Sequence, residues 1–433
     1  MSQFAISRML SLVMVALAFI VAPLGAASAA DEDRVAELER RVDDGAKLIE
    51  ELTRRIHELE ARLSPGASGA EVASHEDPTQ RLETVEQEVR QIVEANASRS
   101  ETTGLAIHGF ADVGAGTRNP MDPDQEGFTV GSLDFYLTPN LGERTRALLE
   151  LNFEVDTFGE LATDLERAQI GFEIGEGSTI WVGRFHTPYG YYNTAFHHGQ
   201  QISTSLRRPR FLQFEDQGGI LPAHTVGTWW TGDRRLDTGK LTYDLYVGNA
   251  QRITDGTLDL GAAGVERSNA IVGGNIGFLP GGRLEGLKVG VSYFTASVED
   301  DAIASNRTRV NNYGVYALYF SDRWENMIEL YFFDDQDQSG ATGTHRSDAG
   351  FAQFAYRMDR LMPYLRYERA ELEQTDSFFS AQASGGSYDR TALGLRFDLD
   401  LASAVKLEVA RTNNTDRMRE EFSEALMQYA IRF

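Results

Sequence analysis

The sequence predicts an antiparallel β-barrel of about sixteen strands that crosses a membrane, preceded by an α-helical coiled coil. Two patterns divide the chain. Residues 31–100 repeat apolar side chains every three or four positions, which is the period of a helix. From Gly104 onward, apolar and polar residues alternate in runs of roughly ten, which suits a tilted membrane-spanning strand. Aromatic residues near the ends of these runs complete the barrel signature.

Residues 1–29 have the features of an export signal. Arg8 supplies the positive charge, an apolar run extends from Met9 to Leu24, and Ala27-Ser28-Ala29 offers a cleavage site. A membrane anchor is the alternative, but the apolar run is short for a span and acidic residues 31–33 follow at once. We therefore predict an exported mature chain. It contains no cysteine, so its stability does not come from disulfides.

Residues 30–100 form the predicted coiled coil. Apolar side chains alternate at spacings of three and four from Val35 to Leu63, and again from Leu82 to Ile92, with charged flanks. A linker rich in Pro and Gly, near 64–78, separates the two segments. A single amphipathic helix lying on another surface would show a similar stripe, although a wider one. The narrow stripe favours the coiled coil.

Residues 104–433 supply the strands. The predicted set is 104–116, 127–138, 144–156, 163–175, 178–185, 224–232, 239–249, 268–279, 286–298, 309–321, 324–335, 347–358, 362–372, 387–399, 403–413 and 424–433. An even number places both ends of the barrel on one side of the membrane, expected to be the periplasm. A soluble β-sandwich has the same alternation, but strand length, strand number and terminal aromatics favour the barrel.

Composition excludes some classes of function. The formal net charge of −24 argues against nucleic acid as a partner. The mean hydropathy of −0.34 is compatible with a barrel, because every second strand residue faces a wet interior. Adjacent His197 and His198 lack ligands at metal spacing, and no motif joins a histidine to a serine. We predict no cofactor, no metal site and no enzyme activity.

One connection, about 186–223, is much longer than an ordinary loop and has no strand pattern. We expect it to fold into the barrel and narrow the channel. Its candidate solute-contacting residues, with one from the preceding strand, are Arg207, Arg208, Arg210, Glu215, Asp216, His197 and Arg184. Arginine suits this role because its guanidinium binds carboxylate or phosphate through two parallel hydrogen bonds. The alternative is that the loop arginines pair with carboxylates and pin the loop, and one arginine can do both.

A second group of arginines is predicted to face the lumen from the barrel wall. These are Arg144, Arg146, Arg167, Arg366 and Arg396, together with Arg184. Acidic wall residues can balance them, in which case they form a solvated surface with no preference for anions. The candidates for that role are Glu150, Glu173, Glu325, Glu329 and Glu368.

Two motifs resemble the phosphate-selective porin O and P superfamily and its DcaP-like relatives. They are the run GRFHTPYG at 183–190 and the run FEDQGG at 214–219, which flank the long loop. The final run, ALMQYAIRF at 425–433, resembles the closing strand of bacterial outer-membrane barrels. The DcaP-like branch also carries an N-terminal coiled coil ahead of a sixteen-stranded trimeric barrel.

This resemblance implies a homotrimeric porin in the bacterial outer membrane, surrounded by lipid and lipopolysaccharide, with its coiled coil in the periplasm. It implies passive diffusion of small anions such as phosphate or dicarboxylates. The long loop has no lysine and the chain is acidic, which departs from the phosphate-selective branch. An alternative function is structural: a plugged barrel whose coiled coil tethers the membrane to the cell wall or to a periplasmic partner. An outer-membrane enzyme ranks third.

Overall fold

The computed structural model describes residues 106–117, 126–139, 141–155, 161–196, 201–215, 217–259, 269–303, 306–340, 342–416 and 421–433. The predicted signal segment and both coiled-coil segments lie outside these residues, so they stay predictions. Within this part of the chain, the dominant element is the β-strand.

Eighteen strands and two four-residue helices make up the fold of the described residues. The strands are β1 Ala106–Gly116, β2 Gly127–Thr138, β3 Thr145–Val155, β4 Leu161–Gly175, β5 Ser178–His186, β6 His224–Leu236, β7 Gly239–Asn249, β8 Arg252–Thr254, β9 Thr257–Asp259, β10 Ala270–Pro280, β11 Leu287–Asp300, β12 Arg307–Phe320, β13 Trp324–Asp337, β14 Thr344–Tyr356, β15 Leu361–Glu371, β16 Tyr388–Asp398, β17 Ser403–Asn414 and β18 Glu421–Arg432. The helices are α1 Tyr192–Ala195 and α2 Ser377–Ser380, and short 3-10 turns lie at Arg210–Leu212 and Gly282–Leu284.

Sixteen of the strands close into one antiparallel barrel. Each pairs with the next along the chain, β7 pairs with β10, and β18 pairs with β1 from Phe110↔Arg432 to Gly116↔Leu426. The predicted strands are therefore confirmed in number and position. The remaining two strands, β8 and β9, form a hairpin in the loop after β7, and β8 runs parallel to the end of β11.

The two faces of the barrel differ sharply. On β18, Met427 and Tyr429 are 46% and 42% exposed, whereas Gln428 and Ala430 between them are buried. The exposed set continues around the ring with valines, leucines and aromatics on alternate positions. An apolar outer face of this kind is what a lipid-facing barrel presents. None of the described helices is long and apolar enough to cross a bilayer.

Connections differ in length at the two ends of the barrel. Short turns at 176–177, 237–238, 321–323 and 399–402 lie at the end that holds the C-terminus. The opposite end carries the long connections, and the longest of these, residues 187–223, folds into the barrel. We call residues 187–223 the infolded loop.

The main apolar core lies between the infolded loop and the barrel wall. Tyr192 meets Phe351 edge-on at 5.5 Å between ring centroids, and Phe211 meets Tyr331 in the same way at 5.7 Å. These four rings are almost completely buried. The loop is therefore packed against the wall of β10–β16 as a permanent part of the fold.

Candidate functional site

The infolded loop turns inward at Gly190. This residue has φ of +59°, and a Cβ there would lie 2.0 Å from the Tyr331 hydroxyl, so only glycine fits without strain. Glu329 on β13 then accepts hydrogen bonds from the backbone N–H groups of Tyr191 at 3.1 Å and Tyr192 at 2.7 Å. The wall carboxylate thus fixes the start of α1.

Arg208 holds the loop together from inside. Its guanidinium donates to the carbonyls of Leu212 at 2.7 Å and Phe196 at 2.8 Å, and to Asn193 Oδ1 at 2.9 Å. It also lies 4.5 Å above the ring of Phe214. Arg208 is 5% exposed, so the role that its contacts show is pinning the loop.

A network of buried arginines and carboxylates on β15–β18 contacts the next part of the loop. The network comprises Arg366, Glu368, Arg390, Glu408 and Glu424. Arg390 lies at its centre, with guanidinium nitrogens 3.1 Å from Glu368, 2.9 Å from Glu408 and 2.7 Å from Glu424. All five side chains are nearly inaccessible. Charges buried to this degree are stable only when they are paired as closely as this.

The loop arginines on either side of Arg208 join this network. Arg207 lies 3.6 Å from Glu424, and its carbonyl accepts a 2.6 Å hydrogen bond from Arg366. The Arg210 backbone N–H donates to Glu368 at 2.7 Å, and its guanidinium lies 4.4 Å above the Tyr388 ring. Both arginines are therefore attached to the wall.

A second anchor holds residues 201–205. Arg396 donates to the carbonyls of Gln201 at 2.7 Å and Ser203 at 2.8 Å, and Lys406 donates to the carbonyl of Ser205 at 3.2 Å. Arg396 and Lys406 are both buried. Predicted wall residues Arg366 and Arg396 thus contact the loop backbone.

Glu215 links the last part of the infolded loop to His224, the first residue of β6. It accepts from the His224 backbone N–H at 2.8 Å and lies 3.1 Å from the ring Nδ1 of the same residue, whose Nε2 lies 2.6 Å from Glu166. Burial raises the pKa of the Glu215 carboxyl, but attraction to the His224 imidazole and the hydrogen bonds from that residue outweigh it. The net effect lowers this pKa below its ordinary value of 4.5.

This shift predicts a pH dependence. Because folding lowers the pKa of Glu215, the stabilisation is complete above pH 4.5 and is lost as the pH falls through the lower folded-state value. We expect Glu215→Gln to lower the denaturant midpoint in detergent micelles at pH 7, and the difference from the wild type to shrink towards pH 3. A difference that grows on acidification would contradict this assignment.

The wall of β3–β5 carries charged side chains that stay open to water. Arg184 is 22% exposed in its side chain and lies 3.8 Å from Asp164 and 3.9 Å from Glu166. Arg146 pairs with Glu173 at 2.9 Å, and both are more than a third exposed. These charges lie on a solvated surface, unlike those beneath the infolded loop.

The other two predicted wall arginines differ from each other. Arg167 on β4 pairs with Glu150 and lies 5.4 Å from the ring of Tyr136. Arg144 is exposed and precedes β3, at the short-turn end. Neither contacts the infolded loop through a described interaction.

A cavity of about 350 Å³ lies between the infolded loop and the wall of β5, β6, β7, β10 and β11. Tyr191 and Thr194 line it from the loop, and Lys288 lines it from β11. The Lys288 ammonium lies 4.9 Å from the centre of the Tyr191 ring. Among the described residues, no group of three or more potential metal ligands occurs here or elsewhere.

Comparison with solved structures identifies the architecture. The chain is similar to a loop L8 deletion mutant of OmpT, an outer membrane protein of Vibrio cholerae, at 11% identity and a TM-score of 0.52, over 76% of this chain and 99% of that one. It is equally similar to an anion-selective porin from Comamonas acidovorans, at 12% identity and a TM-score of 0.52, over 76% and 98%. The fold is that of a porin barrel. No family model and no curated protein matches the sequence.

In this porin barrel the predicted site residues separate into two sets. Arg207, Arg208, Arg210, Arg366 and Arg396 are brought together where the loop meets the wall, and Arg144, Arg146, Arg167 and Arg184 lie apart from them. His197 and Asp216 lie outside the described residues. Sequence analysis did not identify Arg390, Lys406 and Lys288 as site residues. The alternation places all three on the inner face, but only the strand register shows what each one meets.

Proposed function

We propose that this protein is an outer-membrane porin that lets small hydrophilic solutes diffuse passively, with a preference for anions. The observation that carries the proposal is a closed sixteen-stranded barrel with an apolar outer face and an internal loop that is fastened to one side of the wall. A loop held in this way narrows a channel and leaves the opposite wall available to solutes. The homotrimer, the lipopolysaccharide environment and the periplasmic coiled coil belong to the same proposal.

Two features support an anion preference. The carboxylates of the β15–β18 network are engaged with arginines, so they do not present free negative charge to the lumen. Arg184 retains water contact, and its two carboxylate neighbours lie near the limit of ion-pair distance. Selectivity depends on the few charges at the narrowest point, so the net charge of −24 does not decide it. Phosphate and mono- or dicarboxylates are the proposed solutes.

Arg184→Gln is expected to reduce the anion preference. A unit charge about 4 Å from an ion contributes about 1 kcal/mol in water, attractive for an anion and repulsive for a cation, so anion permeability should fall and cation permeability should rise by up to about fivefold each. Reversal potentials of single channels in a planar bilayer, under a salt gradient, measure the anion-to-cation permeability ratio.

Arg411→Gln is the matched control, because Arg411 is exposed and pairs with Glu421 away from the loop. It should leave the ratio unchanged. An unchanged ratio in Arg184→Gln would remove Arg184 from the pathway. A bilayer in which the wild-type protein passes no current would contradict the porin and favour the plugged structural barrel.

A further inference from the structure

The cavity beside Tyr191 has the features of a solute site. Its volume of about 350 Å³ is within the range of small-molecule pockets. Its polar lining includes four threonines, Thr179, Thr194, Thr231 and Thr242. One wall is the ring of Tyr191, which the infolded loop supplies. A site of this composition favours a solute that combines hydroxyl groups with a short carbon chain.

Lys288 supplies the charge. Its ammonium lies near the rings of Tyr191 and Tyr316, at 4.9 and 6.0 Å from their centres. Within the described part of the chain, it has no hydrogen bond and no ion pair closer than 4 Å. An ammonium group has three donors, so Lys288 lines the cavity with donor capacity that the protein itself leaves unused.

The carboxylates of the same cavity are already engaged. Asp244 accepts hydrogen bonds from Trp229 Nε1 at 3.1 Å and from Asn275 Nδ2 at 3.2 Å. Asp233 pairs with Lys240 at 2.8 Å. The charged group with capacity for a ligand is therefore Lys288, and that ligand is an anion.

We propose that this cavity binds a small hydroxylated monocarboxylate as it passes through the pore. The carboxylate contacts the Lys288 ammonium, the hydroxyl groups face the threonines, and the carbon chain lies against Tyr191. A second negative charge on the solute would face Asp244, whose hydrogen-bond donors are uncharged, and the other cation nearby among the described residues, Lys240, is already paired with Asp233. The site therefore prefers a singly charged acid to succinate or phosphate. Its role in transport rests on the proposed porin function, whereas binding itself does not.

Titration calorimetry of the purified protein in detergent tests the site, with gluconate as the probe and succinate and inorganic phosphate as comparators. We expect gluconate to bind more tightly than either comparator. Lys288→Met should weaken gluconate binding by about tenfold or more, because it removes a hydrogen bond to a charged group. Lys288→Arg retains the charge and should bind within a few-fold of the wild type.

Two further variants guard against a folding defect. Arg411→Met removes an exposed cation that pairs with Glu421 outside the cavity, and gluconate binding should persist. Thr179→Val removes one hydroxyl without a change in charge, and it should weaken gluconate binding severalfold while leaving acetate, which lacks hydroxyl groups, unaffected. Equal gluconate affinity in Lys288→Met and wild type, or tighter binding of succinate or phosphate, would overturn the proposal.

Conductance distinguishes this proposal from the proposed function. In a conducting pore, gluconate should reduce the chloride current in the wild type but not in Lys288→Met. A conducting pore that does not bind gluconate would overturn the site and leave the porin intact. A silent protein that binds gluconate through Lys288 would retain the site and refute the porin.

Discussion

Replacing Arg390 with methionine is expected to lower the free energy of unfolding by about 3–5 kcal/mol, because it leaves buried charges without their partner. Arg390 is the one cation of the network that contacts all three of Glu368, Glu408 and Glu424, at 2.7 to 3.1 Å. Without it, these carboxylates lie close together in a buried site, where their repulsion is poorly screened. Guanidinium unfolding in micelles, followed by circular dichroism, measures the loss.

Arg411→Met is the control for a surface ion pair. The side chains of Arg411 and Glu421 are 68% and 50% exposed, and such pairs contribute about 0–1 kcal/mol. A second test combines Glu408→Gln with Arg390→Met. The added substitution removes one of the unpaired carboxylate charges, so it should recover part of the free energy of unfolding. A loss below about 1 kcal/mol for Arg390→Met would show that the network is not an anchor.

Arg208→Ala is expected to loosen the infolded loop internally while the barrel stays closed and the loop stays attached to the wall. In the wild type, the Arg208 guanidinium donates to the carbonyls of Leu212 and Phe196 and to Asn193 Oδ1, each within 2.9 Å. The substitution removes this charged donor from all three acceptors. Hydrogen bonds to charged groups contribute about 1.5–3 kcal/mol each, so the loop becomes more mobile between its remaining wall contacts. Single-channel recordings should show a larger and noisier conductance than the wild type.

Arg207→Ala serves as the comparison for this prediction. Arg207 is adjacent in sequence, but its described guanidinium contact is a 3.6 Å ion pair with Glu424. We expect a smaller change in conductance from it than from Arg208→Ala. Equal effects from the two variants would mean that the loop is held by net charge, and not by the particular hydrogen bonds of Arg208.

The barrel was predictable because lipid imposes one rule on every strand. Alternate residues such as Met427 and Tyr429 must be apolar, and this pattern is visible without tertiary information. The hairpin of β8 and β9 was not predictable, because three-residue strands are too short to show a period. It depends on pairing with β11, which is a tertiary contact.

The site was predictable only in part. Alternation shows that Arg366 and Arg184 face inward, but it does not show which one the infolded loop covers. Arg366 is fully buried against the loop backbone, and Arg184 keeps contact with water. Arg207 and Arg208 are adjacent in the sequence, yet one contacts the wall network and the other contacts the loop itself. The path of an irregular segment follows from its packing, so the sequence alone does not show this difference. Lys288 and Tyr191 are distant in sequence, so their contact required the fold.

The two sets of charged residues also determine how freely the interior of this barrel can be redesigned. The charged side chains that fasten the infolded loop lie on β13 and β15–β18, and those open to water or to the cavity lie on β3–β5 and β11. Randomising Arg184, Lys288 and Thr179 together therefore leaves every described contact of Arg208 and Arg390 intact. Directed evolution towards a new ligand can therefore start from those three positions.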